Sequence, residues 1–359
     1  MTKKNLKDLR ISILQPAIPT YRLFLFSGLH KKFKFLKVYS STGYDENKFQ
    51  TPKLPWVIET GKIVRIFKLF LWQKNIPNNI YKNSDIIIIW GNLRLLNNIK
   101  IIIMSKFYNK KIIWWGQLPV KNRLTNYLRM FFLKSCNAFI CYNYSEIQNW
   151  PYSLKKLKYF YHNNTVDTKK IINYRKLYSS ENRESITFMG RLTKKSYIEY
   201  FIKLSEEKQF SQIKFEIIGD GDQYNVIKKN LETKKNHNLF CHGAIYDEEN
   251  ISKILNRTKI FIYAGIVGLS LLHAMSYGLP CIVRKFKSNY PEVESLEESK
   301  NGFFFNGADY NDLLSKVAKL YKSDSLCNQF SDESINIINN KYKSEFTLSN
   351  FEEIINSIL

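Results

Sequence analysis

With 359 residues, 44% of them apolar and 15% aromatic, the chain can fill two real cores, which excludes a disordered segment and points to a folded globular protein of two domains. Its net charge of +24 is uneven: Met1 to Lys170 holds 30 Lys and Arg against 7 Asp and Glu, or +23, and Ile171 to Leu359 holds 25 against 24, or +1. A basic half beside a neutral half implies a polyanionic partner for the first half, whether a membrane surface, a nucleic acid or a phosphorylated substrate. Cys136, Cys141, Cys241, Cys281 and Cys327 form no C-x-x-C pair and no His-Cys ligand spacing, so they read as small apolar residues in a reducing compartment. The N-terminus shows no signal-peptide core, and no apolar run reaches the ~18 to 20 residues of a spanning helix, so a cytosolic or peripheral protein is expected.

In chain order, Arg10 to Leu14 predicts a strand, Pro16 and Pro19 a loop, and Thr20 the cap of a helix from Tyr21 to about Leu29. Phe35 to Tyr39 is a second strand. Ile86 to Trp90 and Lys111 to Trp115 are continuous apolar runs of strand length, as in a parallel sheet covered on both faces, with a crossover helix over Asn92 to Tyr108. Gln117 would lie in the loop at the carboxyl end of that second run, where open α/β sheets bind ligands. Asn137 to Cys141 and Leu157 to Tyr161 are later strands. Two basic, aromatic stretches, Gly61 to Lys74 and Lys121 to Lys134, have the composition of interfacial helices; the alternative is a helix whose apolar face is core and whose charges are solvated.

Asp167 to Glu184 is polar and reads as a linker, 171–184, between a domain of residues 1–170 and one of 185–340, with a last helix in 341–359 expected to pack back toward the first domain. The second domain alternates again: strands at Ile186 to Met189, Phe215 to Ile218, Leu239 to His242 and Gly302 to Phe305, helices at Tyr197 to Leu204, Asp247 to Leu255 and Asp309 to Tyr321. Its centre is Lys259 to Val283. A strand to Ala264, a turn over Gly265 to Val267, a helix opened by Gly268, a stop at Gly278 and Pro280 and a further strand make a βαβ unit whose turn offers free backbone N–H groups to an anion, most simply a phosphate. Strand and helix alternating twice over predict an α/β protein of two Rossmann-like βαβ lobes with an interdomain cleft.

Eight segments, in order and spacing, resemble the retaining GT-B glycosyltransferases of family 4, particularly the bacterial members that build surface polysaccharides. They are QPAIPTYR (Gln15 to Arg22), WWGQ (Trp114 to Gln117), YHNNTVD (Tyr161 to Asp167), FMGRLTKK (Phe188 to Lys195), IIGDGDQ (Ile217 to Gln223), FCHGAIYDEENI (Phe240 to Ile251), VGLSLLHAMSYGLPCIV (Val267 to Val283) and PEVESLEESKNGFFF (Pro291 to Phe305). The resemblance implies a nucleotide-sugar donor on the C-terminal lobe, a glycan or polyprenyl-diphosphate-linked acceptor on the N-terminal lobe, an anionic membrane surface against the basic lobe, and no cofactor or metal. It assigns Arg191 and Lys195 to the leaving diphosphate, which a guanidinium fork and an ammonium can neutralise. Gly190, Lys194, Gly219, Asp220, Gly221, Ala244, Tyr246, Gly265, Val267, Gly268, Leu269, His273, Glu292 and Glu294 fall on the donor side, and Arg22, Trp115 and Gln117 on the acceptor side. The chain departs from the family's Glu-x7-Glu pair, with Gly265 and His273 in those places; His273 can still hydrogen-bond a ribose, and Glu292 or Glu294 is the candidate replacement for the first carboxylate. The family's lysine falls in strict register at Ser196, leaving Lys194 or Lys195 to reach the phosphate. Rival readings are a catalytically silent GT-B protein, a basic nucleic-acid binder, and a nucleotide-sugar 2-epimerase.

Overall fold

A computed structural model describes residues 6–359 except 45–46, 49–50, 68, 118–122, 149–150, 178, 226, 230–236, 287–289 and 308. It divides the chain into two compact units, Met1–Asn163 with Glu345–Leu359, and Asn164–Ser344. The boundary therefore precedes the segment 171–184 expected as a linker. That segment belongs to the second unit, because a helix Thr168–Tyr174, capped by the Asp167 carboxylate, buries Ile171 there.

The strands of the first unit are β1 (Arg10–Gln15), β2 (Phe35–Ser41), β3 (Gly43–Tyr44), β4 (Asn47–Lys48), β5 (Val57–Thr60), β6 (Ile63–Ile66), β7 (Phe70–Gln73), β8 (Ile86–Trp90), β9 (Lys111–Trp115), β10 (Ala138–Cys141) and β11 (Lys158–Tyr161). Seven of them form a parallel sheet in the order β11-β10-β9-β8-β1-β2-β5. The continuous apolar runs are needed because both faces are covered. Ile86 and Ile88 point into one core and Ile87 and Ile89 into the other, the period of two that a pleated strand imposes. The helix Ser344–Ile358 supplies Phe351, Ile354, Ile355 and Ile358 to the first of these cores, at the spacing of one helical face.

Gly61 to Lys74 is not a helix. Ile63–Ile66 and Phe70–Gln73 pair antiparallel, with Val64 opposite Trp72 and Ile66 opposite Phe70, and β6 and β7 belong to a separate four-stranded sheet, β4-β3-β6-β7. Helical spacing and strand alternation both fit so apolar a run. The β-branched and aromatic content, the left-handed turn at Phe67 (φ 47°), and the hydrogen bonds that β7 finds outside the hairpin, Leu71 N–H to Arg94 O at 2.7 Å and Gln73 N–H to Asn97 Oδ1 at 2.7 Å, decide for the strand. The second basic stretch does form a helix, Arg123–Leu133. At the start of the unit, Thr20–Arg22 is a 3-10 turn and the α-helix proper runs Leu23–Lys32, with no side-chain cap, so Thr20 does not fill the capping role.

In the second unit β12 (Ser185–Met189), β13 (Lys214–Ile218), β14 (Leu239–Cys241), β15 (Thr258–Tyr263), β16 (Cys281–Arg284) and β17 (Gly302–Phe305) form one parallel sheet in the order β14-β13-β12-β15-β16-β17. The strand order reverses between β12 and β15, the switch point at which doubly wound sheets bind ligands beyond the strand ends. Helices Ile198–Ser205, Glu248–Leu255, Leu269–Ser276, Tyr310–Tyr321 and Asp324–Lys341 also belong to this unit.

A charged group lies inside the second unit. Glu216 on β13 is 1% exposed and accepts hydrogen bonds from Arg257 and from His242, the latter at 3.3 Å. Burial alone would raise its carboxyl; the bonds from His242 and Arg257 and the Arg257 charge outweigh it and bring it down to about 2. A depressed carboxyl stabilises the fold above its unfolded value and is lost as pH falls between about 4.5 and about 2. Acid unfolding of the wild type should thus show a stability loss on the order of 3 kcal/mol in that window, and Glu216→Gln should remove most of that pH dependence. An unchanged acid profile in the variant, followed by far-UV circular dichroism, would contradict this account of Glu216.

Candidate functional site

Beyond the carboxyl ends of β12 and β15 two loops meet. The first, Gly190 to Ser196, leaves β12; the second, Ala264 to Gly268, leaves β15 and enters the helix Leu269–Ser276. A Cβ on Gly265 would lie 2.3 Å from the Lys195 carbonyl oxygen and 2.8 Å from Ser196 Cα. No side chain fits there. The glycine lets the first loop lie directly on the turn before the helix, so Arg191, Lys194 and Lys195 are carried by a loop packed against that turn.

The same loop is fastened on its other side. The Leu192 N–H donates to Asp220 O at 2.9 Å, and a Cβ on Gly219 would fall 1.9 Å from Gly190 O, so the loops after β12 and β13 share one layer of backbone. The Asp220 carboxylate turns back to the Gly221 N–H at 2.7 Å. At its far end the loop passes through Tyr197 in the left-handed region (φ 49°, ψ 42°), and the Tyr197 ring is held by the Arg284 guanidinium 4.4 Å from its centre.

Arg191, Lys194 and Lys195 are exposed and form no ion pair among the described residues, whereas Ser196, in the register of the family's lysine, is 2% exposed and bonded to Thr193 O. Three cations without counter-ions beside a helix start have the chemistry of an anion site. The helix supplies the remainder. Gly268 is its N-cap and has no side-chain cap, Leu269 is its first residue, and Val267 is buried and offers its backbone alone.

Two tyrosines frame this position, and sequence reasoning missed both. The Tyr263 hydroxyl would lie 3.0 Å from a Cβ on Gly190, and the exposed Tyr290 ring passes beside Gly268. Burial first, and then the neighbouring Tyr290, push the Tyr263 phenol up, while the Arg191 charge pulls the other way, which places the guanidinium in the field of this ring. A tyrosine ending an apolar strand carries no signal that separates it from core.

His273 also has a partner that the sequence concealed. Its Nε2 lies 2.9 Å from Glu248 Oε1, the Tyr277 hydroxyl donates to the same oxygen at 2.6 Å, and the His273 and Tyr277 rings stack with 8° between their planes. Burial alone would raise the Glu248 carboxyl; the bonds from His273 and Tyr277 outweigh it and hold it below the usual carboxylate range. A carboxylate can only accept, so Nε2 carries a proton in this bond and Nδ1 is the ring nitrogen left for a ligand. Glu248 opens the helix after Gly243 to Asp247, the loop that exposes Ala244 and Tyr246. In the sequence Glu248 is one of three consecutive acids at a helix start, a pattern that the helix dipole already explains.

The two replacement carboxylates separate. Glu292 is buried in the 3-10 turn Pro291–Ser295 and accepts from Asn164 Nδ2 at 2.6 Å, and Glu294 is exposed.

The residues expected on the acceptor side lie at the carboxyl end of the first unit's sheet. Arg22 is 8% exposed, its Nη1 donates to Gln15 Oε1 at 3.2 Å, and its guanidinium carbon stands 4.4 Å from the Trp115 ring centre. Trp115 is fully buried. Gln117 is exposed and contributes its carbonyl to Arg129 Nη1 at 3.1 Å; no described contact brings it to Arg22.

Residues 170–336 match the model of the family described as Glycosyl transferases group 1. Over 228 residues the chain is 27% identical to a poly(ribitol-phosphate) alpha-N-acetylglucosaminyltransferase of Staphylococcus aureus (strain COL), covering 62% of this chain and 40% of that protein, so it spans less than half of that relative's length. Among solved structures it is similar to Anabaena HepE in complex with UDP, with a TM-score of 0.70 at 12% identity over 97% of this chain and all of that one. It is also similar to a mutant of S. aureus TarM in complex with fondaparinux, alpha-GlcNAc-glycerol and UDP, with a TM-score of 0.56 at 20% identity over 76% of this chain and 55% of that one. The fold of the chain is therefore the GT-B type that these structures share. The matched residues lie within the second unit.

Restoring the family's first carboxylate should fail here. Gly265→Glu is expected to destabilise the second unit by about 1 to 3 kcal/mol, the usual cost of overpacking, and to weaken nucleoside diphosphate binding rather than strengthen it. Denaturant unfolding and a nucleotide titration would show this, and a variant as stable as the wild type with tighter binding would contradict the packing argument.

Proposed function

We propose that the chain is a retaining glycosyltransferase that moves a hexose-type sugar from a nucleoside diphosphate donor to a glycan or lipid-linked acceptor in surface polysaccharide synthesis. The observation that carries this reading is the docking of the Gly190 to Ser196 loop on the Gly265 turn, which sets uncompensated cations beside a helix N-terminus. In this reading the diphosphate lies on the Gly268 and Leu269 amides with Arg191, and Lys194 or Lys195, facing the oxygen on which charge develops. Their charge fills the role a bound cation would otherwise have. The carbon–oxygen bond from sugar to phosphate breaks heterolytically, the acceptor hydroxyl attacks the anomeric carbon from the same face, and its proton passes to the departing phosphate oxygen. His273, oriented by Glu248, accepts from a ribose hydroxyl through Nδ1. A glycan-type acceptor is supported by the S. aureus relative, named for a poly(ribitol-phosphate) acceptor.

The basic first unit is proposed to meet an anionic membrane surface. The tip of the β6–β7 hairpin exposes Phe67 at 89%, with Leu69 beside it, and the helix Arg123–Leu133 exposes Tyr127, Leu128 and Phe131. Apolar side chains presented amid an excess of lysine and arginine suit a lipid headgroup layer, where each well-placed charge is worth ~1 kcal/mol. None of the described helices is long and apolar enough to cross a membrane.

Two assays test these readings. With a panel of nucleoside diphosphate sugars, the wild type should release nucleoside diphosphate with retention at the anomeric carbon, and Arg191→Ala should lower kcat by about 10²-fold or more, as for loss of one transition-state donor; inversion, or full activity in the variant, would overturn the assignment. In vesicle flotation, association should require anionic lipid, weaken as salt rises, and fall in Phe67→Ser with Phe131→Ser. Equal recovery on neutral vesicles would exclude the membrane role.

A further inference from the structure

Four strand ends of the first unit's sheet build a cluster around Arg22. Gln15 closes β1 and Trp115 closes β9, while Tyr142 and His162 directly follow β10 and β11. Arg22 donates to the Gln15 side-chain oxygen at 3.2 Å and, more loosely, to the Tyr142 hydroxyl at 3.4 Å, and its guanidinium lies over the Trp115 ring. His162 stands edge-on to Trp115 with 6.0 Å between ring centres, and Phe351 covers both rings. No carboxylate of the described residues pairs with Arg22, although the residue is more than nine-tenths buried.

The unused hydrogen-bonding capacity is mostly that of donors. Arg22 Nε, Gln15 Nε2 and Trp115 Nε1 are buried donors without partners, and His162 Nδ1 is likewise unpartnered. Burial first, and then the Arg22 charge, bring His162 down to about 3, so it adds no second cation. A buried cation with surplus N–H donors and no carboxylate beside it is costly, because each unmade bond leaves the desolvation of its donor uncompensated. The group that completes the cluster must bring acceptors and negative charge, and a sheet binds its ligand at this carboxyl end.

We infer that Arg22, with Gln15 and Trp115, forms an anion site in the first unit that receives a phosphate-type group carried by the acceptor. This rests on reading the first unit as the acceptor-binding one. A guanidinium fork offers parallel N–H bonds to two oxygens of such a group, which an ammonium could not. Two carriers share this chemistry, a phosphate within a polyol-phosphate glycan and the diphosphate of a prenyl lipid.

Thermal melting of the full chain tests the site, with a nucleoside diphosphate at saturation in every arm so that the second unit's anion site is occupied. The probes are glycerol 3-phosphate for the first carrier and farnesyl diphosphate for the second, with glycerol and sodium chloride at matched ionic strength as controls. At least one of the two anions should raise the wild-type melting temperature, and the one with the larger shift identifies the carrier. Arg22→Met should weaken the response about 10- to 100-fold in apparent Kd, the worth of bonds to a charged group, and Arg22→Lys should recover part of it. Trp115→Phe, which keeps an aromatic face under Arg22 and removes the N–H, should weaken it several-fold and serves where Arg22→Met does not fold. No shift with either anion, or an unchanged shift in both Arg22→Met and Trp115→Phe, would overturn the inference. The shift produced by the nucleoside diphosphate alone is read in the same plates, so a failure of the donor assignment registers separately.

Discussion

The donor site proposed for this protein depends on one backbone contact. At Gly265 the loop after β15 and the loop after β12 approach so closely that a single added carbon would meet the Lys195 carbonyl at 2.3 Å. Because nothing intervenes, the cations on the first loop and the free amides at the start of the helix Leu269–Ser276 are held in one rigid corner of the second unit. Preorganised charge of this kind costs no rearrangement when a diphosphate develops charge, which is why such a contact matters more to catalysis than an additional flexible side chain would. A carboxylate side chain at this position would require a different path for the Lys195–Ser196 backbone.

Both units have their candidate site at the carboxyl ends of a parallel sheet, and in both, positive charge there has no counter-ion among the described residues. In the second unit it is exposed, on Arg191, Lys194 and Lys195; in the first it is buried, on Arg22. Burial changes what the charge can do. An exposed lysine is screened and exchanges partners freely, whereas a guanidinium stacked on Trp115 with donors to spare selects for a ligand that brings acceptors.

Much of this was legible in the sequence, for identifiable reasons. Runs such as IIIIW and TKIFIY are apolar on both faces, and only a covered parallel sheet accommodates them, so strands β8, β9, β12, β13, β15 and β17 fall within a residue or two of their expected places. The helix opened by Gly268 and the stop at Gly278 follow from glycine geometry. The hairpin at Ile63 to Gln73 was illegible because an almost wholly apolar run has no period; its partners, Arg94 and Asn97, are more than twenty residues away. The helix Asp324–Lys341 was missed for the opposite reason, since its polar residues dilute the apolar stripe of Cys327, Phe330, Ile337 and Ile338. Glu248 and Tyr263 were invisible as site residues because their significance lies in contacts across the chain, and the same holds for the missing counter-ion of Arg22. The role of Gly265 could be read only as the loss of a carboxylate, until the Lys195 carbonyl gave that glycine a positive reason.

The central claim, that the loop of Arg191 and the tip of the helix Leu269–Ser276 together grip a diphosphate without a bound cation, is tested most directly by a crystal structure of the protein with a nucleoside diphosphate, grown in a chelator. The account predicts phosphate oxygens within hydrogen-bond distance of the Gly268 or Leu269 N–H and of the Arg191 guanidinium, with no metal density between them. A nucleotide bound elsewhere, or one that binds only once a divalent cation is restored, would contradict it.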